Sequence, residues 1–336
     1  MNLSRNTKIA LFGAFISLLT IAFILSQIRL DLFGDALLSA NYGYVIPCVV
    51  FLVLGLVTRA LRWQVLLQGA LPLRRAFSIM NVAYLVNGVL PLRLGELVRI
   101  YLTSHVEGYQ VAAMTAASTV IVERLLDLLA IVVMVLVALG FAPVPRELQT
   151  ASLISAIAAI SGFVVLVWMA SHRSWVTRLL GVVGNVVKPL AHPRWQTWAN
   201  QFLDGLLPLT SWRGFLLPVA WTGASWILSL IAGYFLMIAV FGSGDWVATA
   251  LYIAAAAFAI AVPAVPGNLG TYEWSILLAL QALGYSNFNQ VAAFAVLVHA
   301  VNVLVHAVTG VIGMLQEGVS LNQLQQGVQQ MRHLEG

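Results

Sequence analysis

Charge is what this sequence has least of. Of its 336 residues only 9% are Asp, Glu, Lys or Arg, against about 25% in soluble domains, which excludes a surface built to face water on all sides. Cysteine is almost missing as well. The one thiol, Cys48, sits in an apolar run and leaves no internal disulfide to form. No strict period-two alternation is present, which argues against a β-barrel. There is no Walker loop, dinucleotide fingerprint, nucleophile elbow or kinase signature, so no enzyme class suggests itself and no cofactor or metal is expected. The 17 Lys and Arg exceed the 12 Asp and Glu, but they are spread along the loops, which is not the footprint of a nucleic-acid binder. In place of all this stand 61% hydrophobic residues and a mean hydropathy of +0.93. The chain reads as an all-α polytopic integral membrane protein.

Runs of roughly 20 apolar residues, enough to cross a bilayer, lie near 9–27, 44–66, 110–141, 150–170, 215–241 and 289–315, which predicts about six full transmembrane helices. The first follows Arg5 and Lys8 as a signal sequence would. It is long for one and offers no small-x-small cleavage site, so it is expected to remain as a helix. With the N-terminus in the cytoplasm, twelve of the 17 basic residues fall inside, two (Arg29 and Arg146) outside, and three (Arg93, Arg99 and Arg124) at or within the membrane. That asymmetry predicts cytoplasmic N- and C-termini in a cell membrane protein. Residues 1–315 form one transmembrane domain on this reading. Within it, segment 171–214 carries apolar residues at helical spacing (Trp175, Leu179, Val182, Val183; Trp195, Trp198, Phe202, Leu206) and is expected to lie in the cytoplasmic headgroup plane. The Gln-rich 316–336 is a cytoplasmic tail, frayed or loosely helical.

Two further apolar stretches, 76–104 and 246–284, are broken near their centres by the same punctuation. The first contains Asn87, Pro91 and Gly95. The second contains Pro263, Pro266, Gly267, Asn268 and Gly270. Each has a Gly four residues after a Pro and a Glu close behind, Glu96 or Glu273. Proline removes a backbone donor and disfavours helix before it. In lipid such a break survives only where protein or a wet cavity satisfies the freed groups. Each stretch is therefore predicted to be a re-entrant or broken helical hairpin. Their opposite sidedness by charge count predicts an inverted repeat, with the two breaks meeting near the midplane.

Ionisable residues cluster at these breaks. A helix starting near Gly95 would turn its free N–H groups and positive dipole end toward an anion, with Arg93 and Arg99 beside it and Glu96 to orient an arginine or titrate; a simple Arg93–Glu96 pair at an interfacial turn is the plainer alternative. Glu123 and Asp127 share a helix face, with Arg124 between. They are either interfacial anchors or buried groups paired with Arg93, Arg99 or Arg59. Glu273 has no base in its own hairpin and either caps its helix start or takes a cation from elsewhere, Arg93 or Arg124 foremost. His299, Asn302 and His306 form a polar stripe on the last long apolar helix. Their spacing is not that of a zinc pair, which leaves interhelical hydrogen bonding or a polar relay.

In this order, Asn87, Leu90-Pro91, Arg93, Gly95-Glu96 and Arg99, then Glu123-Arg124 and Asp127, then Pro266-Gly267, Gly270 and Glu273, the chain resembles the lysylphosphatidylglycerol synthase transmembrane family over roughly 9–315. The resemblance implies a flippase-like domain that translocates an anionic or aminoacylated phospholipid or a polyprenyl-phosphate lipid. It would place Arg93, Glu96, Arg99, Glu123, Arg124, Asp127 and Glu273 around the headgroup. Two departures stand out. Asn268 replaces a glycine common after Pro-Gly, and the soluble aminoacyl-transfer domain of true synthases is missing from this sequence, so aminoacylation is not implied. The alternatives are a membrane enzyme or partner subunit of a lipid-linked glycosyl or aminoacyl transferase, and a non-transporting scaffold for a separate synthase. The expected partner is a membrane lipid, phospholipid or polyprenyl phosphate, with a separate synthase or transferase as a second candidate.

Overall fold

A computed structural model describes residues 5–90, 94–105, 109, 111–142, 144–187, 192–261 and 266–335. Among the described residues there are fourteen α-helices and no strand. In chain order they are α1 Arg5–Gln27, α2 Leu30–Leu38, α3 Val45–Leu66, α4 Leu73–Val89, α5 Gly95–His105, α6 Ala113–Leu139, α7 Arg146–Ser171, α8 Arg173–Val186, α9 Pro193–Gly205, α10 Trp212–Phe241, α11 Trp246–Ala261, α12 Thr271–Ala282, α13 Phe288–Glu317 and α14 Leu321–Glu335. Local chemistry marks the ends of the long ones. Ser211 caps α10 by accepting from the Gly214 N–H, and Asn287 caps α13 by accepting from Gln290. Left-handed Gly242 and Gly318 end the same two helices.

Among the described residues four segments are long and apolar enough to cross a membrane: Tyr42–Leu66, Arg146–Ser171, Trp212–Phe241 and Phe288–Glu317. A fifth appears if α1 and α2, bent by 91° at a short break, count as one span. The chain is thus an all-helical, multi-pass membrane protein. Run 110–141 folds as α6, whose apolar stretch is interrupted by Glu123, Arg124 and Asp127. Run 9–27 folds as part of the 23-residue α1, and α2 turns away after an extended Arg29 whose N–H donates to Asn289 on α13 at 2.8 Å. Leu153, Ile154, Ile157, Ile160 and Val164 on α7 are all exposed, an apolar face of the kind that lipid covers.

The helices pack in matched pairs. α3 lies along α10; α4 packs on α13 and α11 on α6; the two broken hairpins fold on themselves, α4 on α5 and α11 on α12. α5 meets α6 as α12 meets α13, and α3 meets α13 as α10 meets α6. Exchange of α3–α6 with α10–α13 maps this set of contacts onto itself, as two structural repeats facing each other would. The break between α11 and α12, where Pro266–Asn268 form a 3-10 turn, packs on α4, so the second break does come to the neighbourhood of the first.

Segment 171–214 folds into the helices its periodicity predicts, but they divide its apolar residues differently. α8 leaves Trp175, Leu179, Val182 and Val183 uncovered, while Leu203 and Leu206 at the end of α9 are buried against α6 and α7. Of the second stripe, Trp195, Trp198 and Phe202 are half-buried and Leu206 is buried. The tail is also more than frayed. α14 seats Leu324, fully buried, and Gly327 against Tyr101 of α5.

Candidate functional site

At the first break the polar groups close on one another. α4 ends as Leu90 turns extended. Pro91 and Arg93 lie outside the described residues, and α5 starts at Gly95. Asn87, on the last turn of α4, reaches across the break. Its Oδ1 accepts from the Gly95 N–H at 2.7 Å, and its Nδ2 donates to Glu96 Oε2 at 3.4 Å. A side chain at Gly95 would run into the Ala83 carbonyl and Asn87 itself, so the two arms can approach this closely only with glycine there. The second break ends in the same way. Pro263 lies outside the described residues, as does the side chain of Pro266. Gly267 and Asn268 are both left-handed, with φ 72° and 56°. Asparagine is the non-glycine residue that best tolerates that region, which is why the departure from Gly at 268 does not unmake the turn. The Gly270 N–H donates to Glu273 Oε2 at 2.7 Å. Each half-helix start therefore has its first donor satisfied by a side chain of its own hairpin. At Gly95 the first donor of the half-helix is thus already taken by Asn87.

Behind the first break lies a buried network of opposite charges. Arg62 on α3 is 2% exposed. Its Nη1 and Nη2 lie 2.7 and 3.3 Å from the two oxygens of Asp127, and its Nε lies 3.4 Å from Glu123 Oε1. Nη1 also donates to Thr222 on α10 at 3.1 Å. Glu123 Oε2 takes Arg99 Nη1 at 2.6 Å. Arg99 in turn lies flat on Trp63, 3.7 Å from the ring centroid, and the Trp63 N–H donates to Thr119 at 3.1 Å. Farther out, half-buried, Arg124 pairs with Glu96 at 2.8 Å. Three elements on different sides of the break, α3, α5 and α6, are thus pinned by charge where water is scarce, and charge-assisted bonds there are strong. One group is left open. Arg99 Nε and Nη2 are buried with no hydrogen-bond acceptor among the described residues.

Glu96, Arg99, Glu123, Arg124 and Asp127 are brought together as expected, and Glu123 and Asp127 do share a face. Their partners differ in part. Arg99 is one, Arg59 is not, and the central cation is Arg62, which the charge count had assigned to the cytoplasmic side. The signal was present: Arg59 and Arg62 both fall inside the apolar run 44–66, where a cation demands a partner.

Of the cations named for Glu273, Arg124 is held by Glu96, and Arg93 lies outside the described residues. Glu273 caps its own helix and meets His299 Nδ1 at 2.5 Å. Tyr272 covers that imidazole at 4.5 Å. The polar stripe of α13 is accordingly divided. His299 belongs to Glu273. Asn302 Nδ2 bonds back to the Val298 carbonyl, and His306 lies against Tyr84 at 5.2 Å.

Asn302 and His306 face a cavity of about 170 Å³ lined by α3, α10, α11, α12 and α13. Arg59, Trp226, Ser229, Tyr252 and Tyr272 supply the rest of its polar wall among the described residues, and Cys48 is part of its apolar wall. The Arg59 guanidinium lies 5.8 Å from the Trp226 ring, and the Trp226 N–H donates to Asp127 at 3.2 Å. The cavity thus abuts the charge network through one indole.

The family model described as lysylphosphatidylglycerol synthase TM region matches residues 10–310 of the chain. No curated protein matches, and no solved structure does.

Proposed function

From the premise that this chain belongs to the lysylphosphatidylglycerol synthase TM region family, a family of membrane lipid metabolism and transport, we propose that it translocates a phospholipid or polyprenyl-phosphate lipid across the cell membrane. The observation that carries this reading is Arg99: a guanidinium on a re-entrant half-helix, 3% exposed, with one edge neutralised by Glu123 and the other without an acceptor. A planar fork with two adjacent free donors matches the geometry of a phosphate. In the resting arrangement Glu123 and Asp127 hold Arg62 and Arg99 in place. A phosphate reaching the open edge of Arg99 replaces no existing bond and adds two. Acyl chains stay in lipid, so the protein needs to shelter only the headgroup. Transport is downhill or ion-coupled, since the chain carries no nucleotide motif.

The test is reconstitution in vesicles with fluorescent lipids and dithionite quenching of the outer leaflet. The expected result is wild-type scrambling that falls at least tenfold in Arg99→Lys, which keeps the charge and loses the fork. Equal scrambling by the two proteins would remove Arg99 from the pathway. No scrambling by folded wild type with any phospholipid or polyprenyl phosphate would remove translocation itself.

A further inference from the structure

Among the described residues, four arginines of this region stand beside three carboxylates. Arg62, Arg99 and Arg124 are matched by Glu96, Glu123 and Asp127. Arg59, one turn before Arg62, is the cation in excess. Among the described residues no carboxylate lies within 4 Å of it. Asp127, the nearby acid, has both oxygens engaged by Arg62 and one also by Trp226. What Arg59 has instead is the Trp226 face and the cavity. The cavity wall contributes an imidazole, an amide and two phenols from His306, Asn302, Tyr252 and Tyr272, and no Asp or Glu.

We infer that this cavity is a binding site for an anionic phosphate ester, anchored by Arg59, and that it discriminates against headgroups bearing an amine. The inference rests on the translocation reading and narrows it. An ammonium brought beside Arg59 meets a like charge in a largely apolar cavity whose lining holds no acid among the described residues. A phosphodiester meets a guanidinium that has no carboxylate within 4 Å among the described residues. The volume, about 170 Å³, is below the roughly 300–1,000 Å³ of sites that enclose a drug-sized ligand. It fits a polar headgroup and leaves acyl chains outside. Because Trp226 both underlies Arg59 and bonds Asp127, an anion in the cavity is felt by the Arg62–Glu123–Arg99 network.

The experiment is native mass spectrometry of the full chain in detergent, titrated separately with dioctanoyl phosphatidylglycerol, dioctanoyl lysylphosphatidylglycerol and glycerol 1-phosphate. The expected result is retention of phosphatidylglycerol at least tenfold tighter than the lysyl lipid, with at least a tenfold loss in Arg59→Gln. Asn302→Asp, nearly isosteric, places a carboxylate in the wall and should reverse the preference toward the lysyl lipid. It tests the charge logic even where Arg59→Gln folds poorly. Glycerol 1-phosphate binding as tightly as the lipid would keep the anion site and assign it to a soluble phosphate ester. Two results overturn the inference: wild-type affinity for phosphatidylglycerol in Arg59→Gln of unchanged melting temperature, or equal affinity of the wild type for the two lipids. Scrambling assays separate the two readings. Vesicles that scramble regardless of Arg59 retain translocation without this site, whereas Arg59-dependent binding without scrambling retains the site without translocation.

Discussion

Arg59 and Arg62 stand one turn apart on α3 and receive opposite treatment: Arg62 is enclosed by two carboxylates, while Arg59 has an indole face and a cavity. Their substitutions should part accordingly. Arg62→Ala strands Asp127 and leaves Glu123 with Arg99 alone, and should cost about 3–5 kcal/mol, the penalty of breaking a buried pair. Arg59→Ala strands no acid and should cost less than about 1 kcal/mol. Melting of both proteins in one detergent checks the contrast, and equal losses would contradict it.

The outer pair behaves differently. The Arg124 side chain is 43% exposed and that of Glu96 24%, so solvent screens them. Arg124→Ala should lower stability by no more than about 1 kcal/mol, far less than Glu123→Ala, which leaves both Arg62 and Arg99 short of a partner. The same melting series checks this.

Asn87 closes the first break from the far side. Asn87→Ala removes the cap on Gly95 and should cost about 1 kcal/mol. Asn87→Asp keeps the acceptor but places a second acid beside Glu96, and should recover only part of that loss. Hydrogen exchange in the first turn of α5 is the direct readout, faster in Asn87→Ala than in the wild type.

The two left-handed glycines of the second break differ in their surroundings. A methyl at Gly270 would press on Thr20, Ile21 and the Ser17 carbonyl of α1, at 2.6–2.8 Å. One at Gly267 would meet only the Gly88 carbonyl, at 3.6 Å. Gly267→Ala should therefore cost only the backbone strain, about 1–2 kcal/mol. Gly270→Ala should add about 1–3 kcal/mol of overpacking and loosen α1 from α12, which is measurable as faster exchange in 14–27.

Leu324 ties the tail to α5. Leu324→Asp buries an unpaired charge and should release α14, with faster exchange across α5. Unchanged protection of α5 would mean that the half-helix holds its place without the tail.

How much of this was legible in the sequence follows from which forces act locally. The helical membrane fold and both hairpins follow from runs and punctuation within a few tens of residues, because Pro and Gly act on their own backbone. Glu123 and Asp127 share a face because helix periodicity makes it so. The Arg62 role was hidden for a different reason: it sits at the end of an apolar run, where counting charges places it in water, and only the arrival of α6 and α10 gives it partners. The Glu273–His299 contact joins two helices across a turn, and nothing in either helix alone selects it. The asymmetry between α8 and α9 is also tertiary. Both stripes have the same period, and only the presence of α6 decides which is covered.

Cys48 has a consequence of its own. It is the one thiol in the sequence, it is fully buried, and its side chain forms part of the wall that Arg59 shares. A small thiol reagent reaches it by way of that cavity. Its rate of modification is then a clock for access to the site, readable in the unaltered chain with no label introduced. A ligand seated in the cavity slows the clock, and one that draws the helices apart speeds it.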